Sequence, residues 1–108
     1  MTENQHLIMK KVLEGLDSLG YEFTLDEKRS NADQNIFKIS HPNWEKDWIY
    51  DYFQEVVFYN NTMSCGRKGC RRGIDYETGE THNFGLGNNQ QLYDDCISFL
   101  STLKQKQL

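Results

Sequence analysis

The sequence predicts an α+β fold, in which an antiparallel β-meander of four to five strands is covered on one face by N- and C-terminal helices. Two observations support this prediction. Apolar residues recur with a helical period at both ends of the chain, whereas short apolar segments separated by turn-forming residues fill the middle. Strands joined by short turns pair antiparallel, and helices with one apolar stripe pack on a sheet face. At 108 residues the chain has the length of one domain, 1–108.

The N-terminal helix is predicted from a stripe of apolar residues at helical spacing. These residues are Ile8, Val12, Leu16 and Leu19. Thr2 followed three residues later by Gln5 fits a capping box, in which the first side chains of a helix bond to its free backbone amides. Gly20 then supplies a residue that adopts the left-handed conformation at a helix end.

Two strands are predicted to follow, at residues 21–25 and 36–40, because apolar and polar side chains alternate in both segments. The intervening residues 26–35 are polar and show no period. They therefore predict an exposed connection between the two strands.

An aromatic segment follows Pro42, which cannot donate to a β-ladder and so ends the second strand. In residues 43–54 the side chains of Trp44, Trp48 and Tyr52 are spaced by four, which favours a short helix. Aromatic residues also alternate here, as they do in strands, so a strand remains an alternative.

The rest of the chain predicts a meander of hairpins and a final helix. Its strands are expected at residues 56–59, 62–65, 72–76 and 81–84, with turns at 60–61, 66–69 and 77–80. Residues 85–89 are interpreted as a capping turn. The final helix is predicted from the stripe of Leu92, Cys96, Phe99 and Leu103.

Charge is distributed unevenly along this acidic chain, whose formal net charge is −4. Four cations lie close together in a segment without acids, and we call them the basic cluster. They are Arg67, Lys68, Arg71 and Arg72. Without these four positive charges the remainder carries −8, which argues against a uniformly basic nucleic-acid-binding protein.

The basic cluster allows a nucleic-acid hypothesis. If its cations lie on an exposed hairpin tip, they can bind the phosphates of a nucleic acid, and Tyr59 and Tyr76 can stack on its bases. The alternative is that the cations pair with acids elsewhere in the fold. Those acids are Asp47, Asp51, Glu55, Asp75 and Glu77.

The cysteines allow a zinc hypothesis, although the sequence predicts that the protein binds no cofactor. Cys65 and Cys70 flank the 66–69 tip and supply two of the four ligands of a tetrahedral site, with His82 on the next hairpin as a third. A single C-x4-C spacing is a weak metal signal. Cys96 lies on the apolar stripe of the last helix and is interpreted as a buried hydrophobe.

Protein binding is the function that the sequence predicts. The aromatic residues of 43–54 exceed what one short segment needs for packing, and acids surround them. The predicted partner-binding residues are Trp44, Trp48, Tyr50 and Tyr52, with an acidic rim of Asp47, Asp51 and Glu55. Core packing is the alternative for most of these aromatic side chains. An aromatic centre with an acidic rim suits a basic surface, such as that of a nucleic-acid-handling protein.

Size and charge suggest a small stoichiometric inhibitor, of the immunity-protein or virus-encoded anti-defence type, without enzymatic activity. No pair of acids and no nucleophile with its base is arranged for catalysis. No apolar run approaches the roughly 18 residues of a membrane span, and residues 1–5 lack the order of a signal peptide. These features predict a cytoplasmic location with no membrane partner, where the three cysteines stay reduced. The alternative function is a nucleic-acid-binding module that uses the basic hairpin tip, with or without a structural zinc.

Overall fold

The computed structural model describes residues 1–44, 54–83 and 89–106. Within these ranges the elements in chain order are α1 (Glu3–Ser18), β1 (Glu22–Leu25), β2 (Gln34–Ser40), β3 (Gln54–Tyr59), β4 (Thr62–Arg67), β5 (Cys70–Asp75), β6 (Thr81–Asn83) and α2 (Gln90–Lys106). The six strands form one antiparallel sheet in the order β1-β2-β3-β4-β5-β6. The α+β meander is confirmed. Among the described residues all six segments predicted to be strands belong to one sheet, because β2 pairs with β3, so the meander has six strands rather than four to five.

Helix α1 begins at its predicted capping box and ends shortly before the predicted left-handed glycine. The hydroxyl of Thr2 accepts a hydrogen bond from the Gln5 amide at 3.1 Å, and the Gln5 side chain accepts one from the Thr2 amide at 2.9 Å. Gly20 follows with a φ of 90°. Leu19 was predicted to be a core residue, but its side chain is 46% exposed because the helix ends one residue earlier and Leu19 is the C-cap.

Helix α2 packs against α1 and the sheet through its predicted stripe. Leu92 and Cys96 are fully buried, and Phe99 packs against the core. The buried Asn89 caps the helix, since its side-chain oxygen accepts a hydrogen bond from the Leu92 amide at 3.1 Å. Neither described helix has the length and continuous apolar character that a bilayer crossing demands.

The two helices approach each other closely at a glycine. A Cβ atom placed on Gly15 of α1 would lie 2.4 Å from the ring of Phe99 of α2, a distance at which atoms overlap. Glycine weakens a helix interior because it adds backbone entropy to the unfolded chain. Gly15 is therefore required by the packing of Phe99 rather than by the helix itself.

The core lies between the helices and one face of the sheet. The strand side chains that it buries include Ile39, Val56, Phe58, Met63 and Cys65. These residues alternate along their strands, as a sheet with one covered face requires. The predicted coverage of one sheet face by both helices is confirmed.

The opposite face is partly closed by the chain between β1 and β2. Ile36 and Val57 are paired neighbours on this face, and both are buried. The hydroxyl of Ser30 accepts a hydrogen bond from the Ile36 amide at 3.0 Å, and Arg29 reaches across to Glu55. Residues 26–35 are exposed or half-buried, as predicted for a connection, but Arg29 and Ser30 also bind to the sheet and residues 34–35 begin β2.

The turns follow their predicted residues, with one correction. Asn60 takes a φ of 51° in the turn between β3 and β4, and Gly79 takes 81° before β6. The 66–69 tip is shorter than predicted, because Arg67 pairs with Cys70 and only Lys68 and Gly69 form the turn. The described part of residues 43–54 ends at Trp44 and resumes at Gln54 in β3, so the predicted helix lies outside the described residues.

The contact between Gly15 and Phe99 generates a stability prediction. Gly15→Ala is expected to lower the free energy of unfolding by about 1–3 kcal/mol, because the added methyl group overpacks the helix interface. This loss is expected although alanine raises helix propensity by about 1 kcal/mol relative to glycine. Urea denaturation measures the difference, with Asn4→Ala at an exposed position of α1 as the control. A Gly15→Ala variant as stable as the wild type would contradict the close approach.

Candidate functional site

The structure uses two arginines of the basic cluster inside the fold. Arg71 pairs with Glu55, whose side chain also receives two hydrogen bonds from Arg29 at 2.7 and 3.3 Å. Arg29 and Arg71 are about one-third exposed, whereas the Glu55 carboxylate is 2% exposed. The pKa of Arg29 is raised above its ordinary value, chiefly by its hydrogen bond to Glu55. Two guanidinium groups thus compensate one buried carboxylate on the face away from the helices.

Arg72 lies on the opposite face of the same strand and holds helix α2. Its guanidinium carbon lies 4.2 Å from the ring centroid of Tyr93, in a cation–π contact, and it donates a hydrogen bond to Gln90 at 2.8 Å. Arg67 is half-buried at the end of β4, opposite Gln54 and Cys70. Lys68, at the turn, is the one member of the basic cluster that is exposed rather than half-buried.

The tyrosines of the nucleic-acid hypothesis do not lie beside these cations. Tyr59 is exposed, but it pairs with Thr62 at one end of β4, whereas Lys68 follows the other end. Six residues of strand separate these ends by about 17–20 Å. Tyr76 is buried, and its hydroxyl donates to the backbone oxygen of Asn60 at 2.6 Å.

The cysteines and His82 of the zinc hypothesis do not converge. Cys65 pairs with Arg72 in register, Cys70 pairs with Arg67, and His82 pairs with Gly73 on the opposite side of the sheet from Cys65. The described ranges contain no group of three or more histidine, cysteine or acidic side chains arranged to hold a metal ion.

Cys65 contacts helix α2 instead of the hairpin tip. It lies in the core, where a thiol–thiol hydrogen bond joins it to Cys96. This bond, with burial as the second cause, raises the pKa of Cys96 well above its ordinary value. A protonated thiol is a poor metal ligand, because metals bind the thiolate. The interpretation of Cys96 as a buried hydrophobe agrees with its position.

Two predicted partner-binding residues can be placed, Trp44 and Glu55. Glu55 was expected on an exposed acidic rim, but it is buried in the pairs with Arg29 and Arg71, because the alternation of β3 directs it to the sheet face that residues 26–33 cover. Trp44 is half-buried and packs against the core. The other predicted members lie outside the described residues. They are Asp47, Trp48, Tyr50, Asp51 and Tyr52.

Trp44 belongs to an aromatic group at the end of α1. The ring centroids of Tyr21 and Trp44 are 5.8 Å apart, and those of Tyr21 and His41 are 4.7 Å apart, both in edge-to-face geometry. With Asp95 of α2, these three side chains line an open cleft of about 330 Å³, which we call the aromatic–carboxylate cleft. Its other lining residues are Leu19, Asn43 and Gln91.

His41 positions this cleft, a role that the sequence did not reveal. Its Nδ1 accepts a hydrogen bond from the Asn43 amide at 3.1 Å, so the proton of the neutral ring lies on Nε2. Nε2 then donates to the backbone oxygen of Leu19, the C-cap of α1, at 2.9 Å. The ring thereby ties the end of α1 to the residues that precede Trp44. The sequence places His41 before Pro42 in a turn, but it contains no signal for the long-range bond.

Tyr21 and Asp95 join the aromatic group to helix α2. The Tyr21 hydroxyl donates to Asp95 Oδ2 at 2.5 Å, and the Gln91 side chain donates to Oδ1 at 3.1 Å. Burial is the first cause that raises the pKa of Tyr21 above its ordinary value of 10.0, and the hydrogen bond to the Asp95 carboxylate is the second. Tyr21 therefore stays protonated and donates to a carboxylate at one side of the cleft.

Comparisons of this chain with protein-family models, with curated proteins and with solved structures gave no match. The case for a function therefore rests on the geometry of the described residues.

The carboxylate between two arginines generates a second stability prediction. Glu55→Gln is expected to lower the free energy of unfolding by about 2–3 kcal/mol, because Arg71 loses its charged partner and Arg29 keeps only Asp26, 3.5 Å away. Urea denaturation at neutral pH measures this loss. Glu27→Gln removes an exposed carboxylate and is the control, with a change expected within about 0.5 kcal/mol. Equal stability of the two variants would contradict a structural role for Glu55.

The bond between Tyr21 and Asp95 generates a pH prediction. Because the pKa of Tyr21 is raised in the folded protein, its contribution to stability is fully present below pH 10 and declines as the pH rises further. Tyr21→Phe is expected to cost about 1–2 kcal/mol at pH 7, since a hydrogen bond to a charged group is lost. The stability difference between wild type and Tyr21→Phe should shrink above pH 10.

Thermal unfolding of both proteins from pH 7 to 11 measures this difference. Tyr59→Phe is the matched control, because Tyr59 is 48% exposed and its loss of a hydroxyl should be neutral. Parallel loss of stability by wild type and Tyr21→Phe above pH 10 would contradict the prediction.

Proposed function

We propose that this protein acts by stoichiometric binding to a protein with a basic surface, as an inhibitor of the immunity-protein or anti-defence type that blocks a nucleic-acid-handling protein. The observation that carries the proposal is the position of Trp44. The ring of Trp44 packs against Tyr21 and lines the aromatic–carboxylate cleft. Trp44 also lies at the start of the acidic and aromatic segment 43–54. A partly buried tryptophan held by its neighbours is a typical anchor of protein interfaces.

The charge at the surface supports a basic partner. Arg71 and Arg72 are bound within the fold, so they contribute less positive surface than the sequence suggests. Among the described side chains nine acids are exposed, against five lysines. The exposed acids are Glu3, Glu14, Asp17, Glu22, Glu27, Asp33, Glu77, Glu80 and Asp94. An excess of negative charge attracts a basic surface and repels a nucleic acid.

A capture experiment tests the proposal. Tagged protein, incubated with an extract of its native cells treated with nuclease, is expected to retain one basic nucleic-acid-handling protein at about equal molar amounts. Trp44→Ala is expected to weaken this binding at least about 30-fold, the effect of losing an interface anchor worth 2 kcal/mol or more. Tyr59→Ala, which removes an exposed aromatic side chain at another end of the sheet, is the control and should bind normally.

Two measurements distinguish this function from its alternative. Thermal unfolding of Trp44→Ala shows whether the variant is folded, and Lys68→Gln tests the hairpin tip without removing a buried pair. Capture that survives in Lys68→Gln supports protein binding. Tight binding of single-stranded oligonucleotides, lost in Lys68→Gln and falling steeply with salt, would overturn the proposal in favour of a nucleic-acid-binding module.

A further inference from the structure

We infer that the aromatic–carboxylate cleft is a receptor for an arginine side chain of the partner protein. The inference rests on the proposed function, which requires a basic partner, and it names the group that the partner inserts. Three observations carry it: a carboxylate with neutral donors only, aromatic rings beside that carboxylate, and a cleft sized for one side chain.

The Asp95 carboxylate is only partly satisfied within the described part of the chain. Each oxygen accepts one hydrogen bond, Oδ2 from Tyr21 and Oδ1 from Gln91, and both donors are neutral. A carboxylate offers about four acceptor positions, so each oxygen can accept once more. No described lysine or arginine forms an ion pair with Asp95, whereas Glu55 is paired with two arginines. A negative charge therefore borders the cleft, and none of the described side chains supplies it with a positive partner.

The aromatic rings suit a planar cation. A guanidinium group binds the faces of aromatic rings and binds carboxylates with two parallel hydrogen bonds, which a compact ammonium group does less well. Both ring nitrogens of His41 are already in contact with backbone groups, the Asn43 amide and the Leu19 oxygen, so His41 offers the cleft its ring surface. The cleft thus combines ring surface with a carboxylate, and the described residues of its lining include no lysine or arginine.

The size of the cleft suits a single side chain. Its volume of about 330 Å³ lies at the lower end of small-molecule sites, which span roughly 300–1,000 Å³. The lining also includes the side chains of Asn43 and Gln91, which can accept further N–H groups of a guanidinium. An arginine that enters beside Trp44 therefore meets acceptors as well as rings.

A titration with small probes tests the inference without knowledge of the partner. ¹⁵N-labelled protein is titrated with N-acetyl-arginine amide and, separately, with N-acetyl-citrulline amide, a neutral molecule of the same shape. We expect the arginine probe to shift the signals of the Trp44 indole and the Gln91 side-chain amide, and to bind at least tenfold more tightly than the citrulline probe.

Matched variants assign the effect to one carboxylate. Asp95→Asn is expected to weaken binding of the arginine probe at least tenfold while Tyr21 can still donate to the amide oxygen. Asp94→Asn removes the same charge from the next residue, which is exposed, and should bind as the wild type does. Equal binding of arginine and citrulline, or undiminished binding by folded Asp95→Asn, would overturn the inference.

The outcomes separate this inference from the proposed function. If a basic partner is captured and Asp95→Asn retains full affinity for it, the cleft is not its receptor although the proposed function stands. If the arginine probe binds through Asp95 but no partner protein is captured, the inference about the cleft stands and the proposed function fails.

Discussion

The close approach of the two helices at Gly15 and Phe99 is the contact on which the rest of the site depends. One turn beyond Gly15 the chain reaches Leu19, and one turn before Phe99 it reaches Asp95. The helices therefore bring the end of α1 beside the first turns of α2, where Tyr21 binds Asp95. A larger residue at position 15 would separate the helices at the point from which both sides of the aromatic–carboxylate cleft are built.

Two carboxylates in this fold show how burial determines whether a negative charge is paired within the protein or remains available at the surface. Glu55 is almost fully buried, and a buried charge must be paired, so two guanidinium groups lie against it and its electrostatic field is cancelled locally. Asp95 is partly exposed, and water supplies part of its solvation, so neutral donors suffice to hold it. The first carboxylate stabilises the sheet, whereas the second leaves a negative charge beside a cleft.

The sequence was sufficient for the helices, the turns and the general order of the strands, because these depend on local spacing. The capping box at Thr2, the left-handed Gly20 and the hairpin at Gly79 are all local features. The pairing of Arg71 with Glu55 was predicted only as an alternative, and the contact of Arg72 with Tyr93 was not predicted, although neighbouring residues of a strand must point to opposite faces. Which acid or ring each arginine meets depends on the register of other strands. The bond from His41 to Leu19 spans 22 residues and depends on tertiary packing that no local pattern reports.

The distribution of cations supports the proposal that this protein binds a basic partner. Arg71 pairs with Glu55 on the sheet face away from the helices, and Arg72 contacts Tyr93 of α2 on the other face. The two arginines therefore attach strand β5 on both of its faces, instead of forming the exposed basic tip that was predicted. These two arginines connect strand β5 to other parts of the fold, whereas most of the described acidic side chains are exposed. Under the proposed function, a basic partner would meet this exposed negative charge. The cleft beside Trp44 brings a carboxylate and aromatic rings together, so we expect specific binding there. The more distant acids are expected to increase the rate of encounter with a basic partner through their long-range attraction.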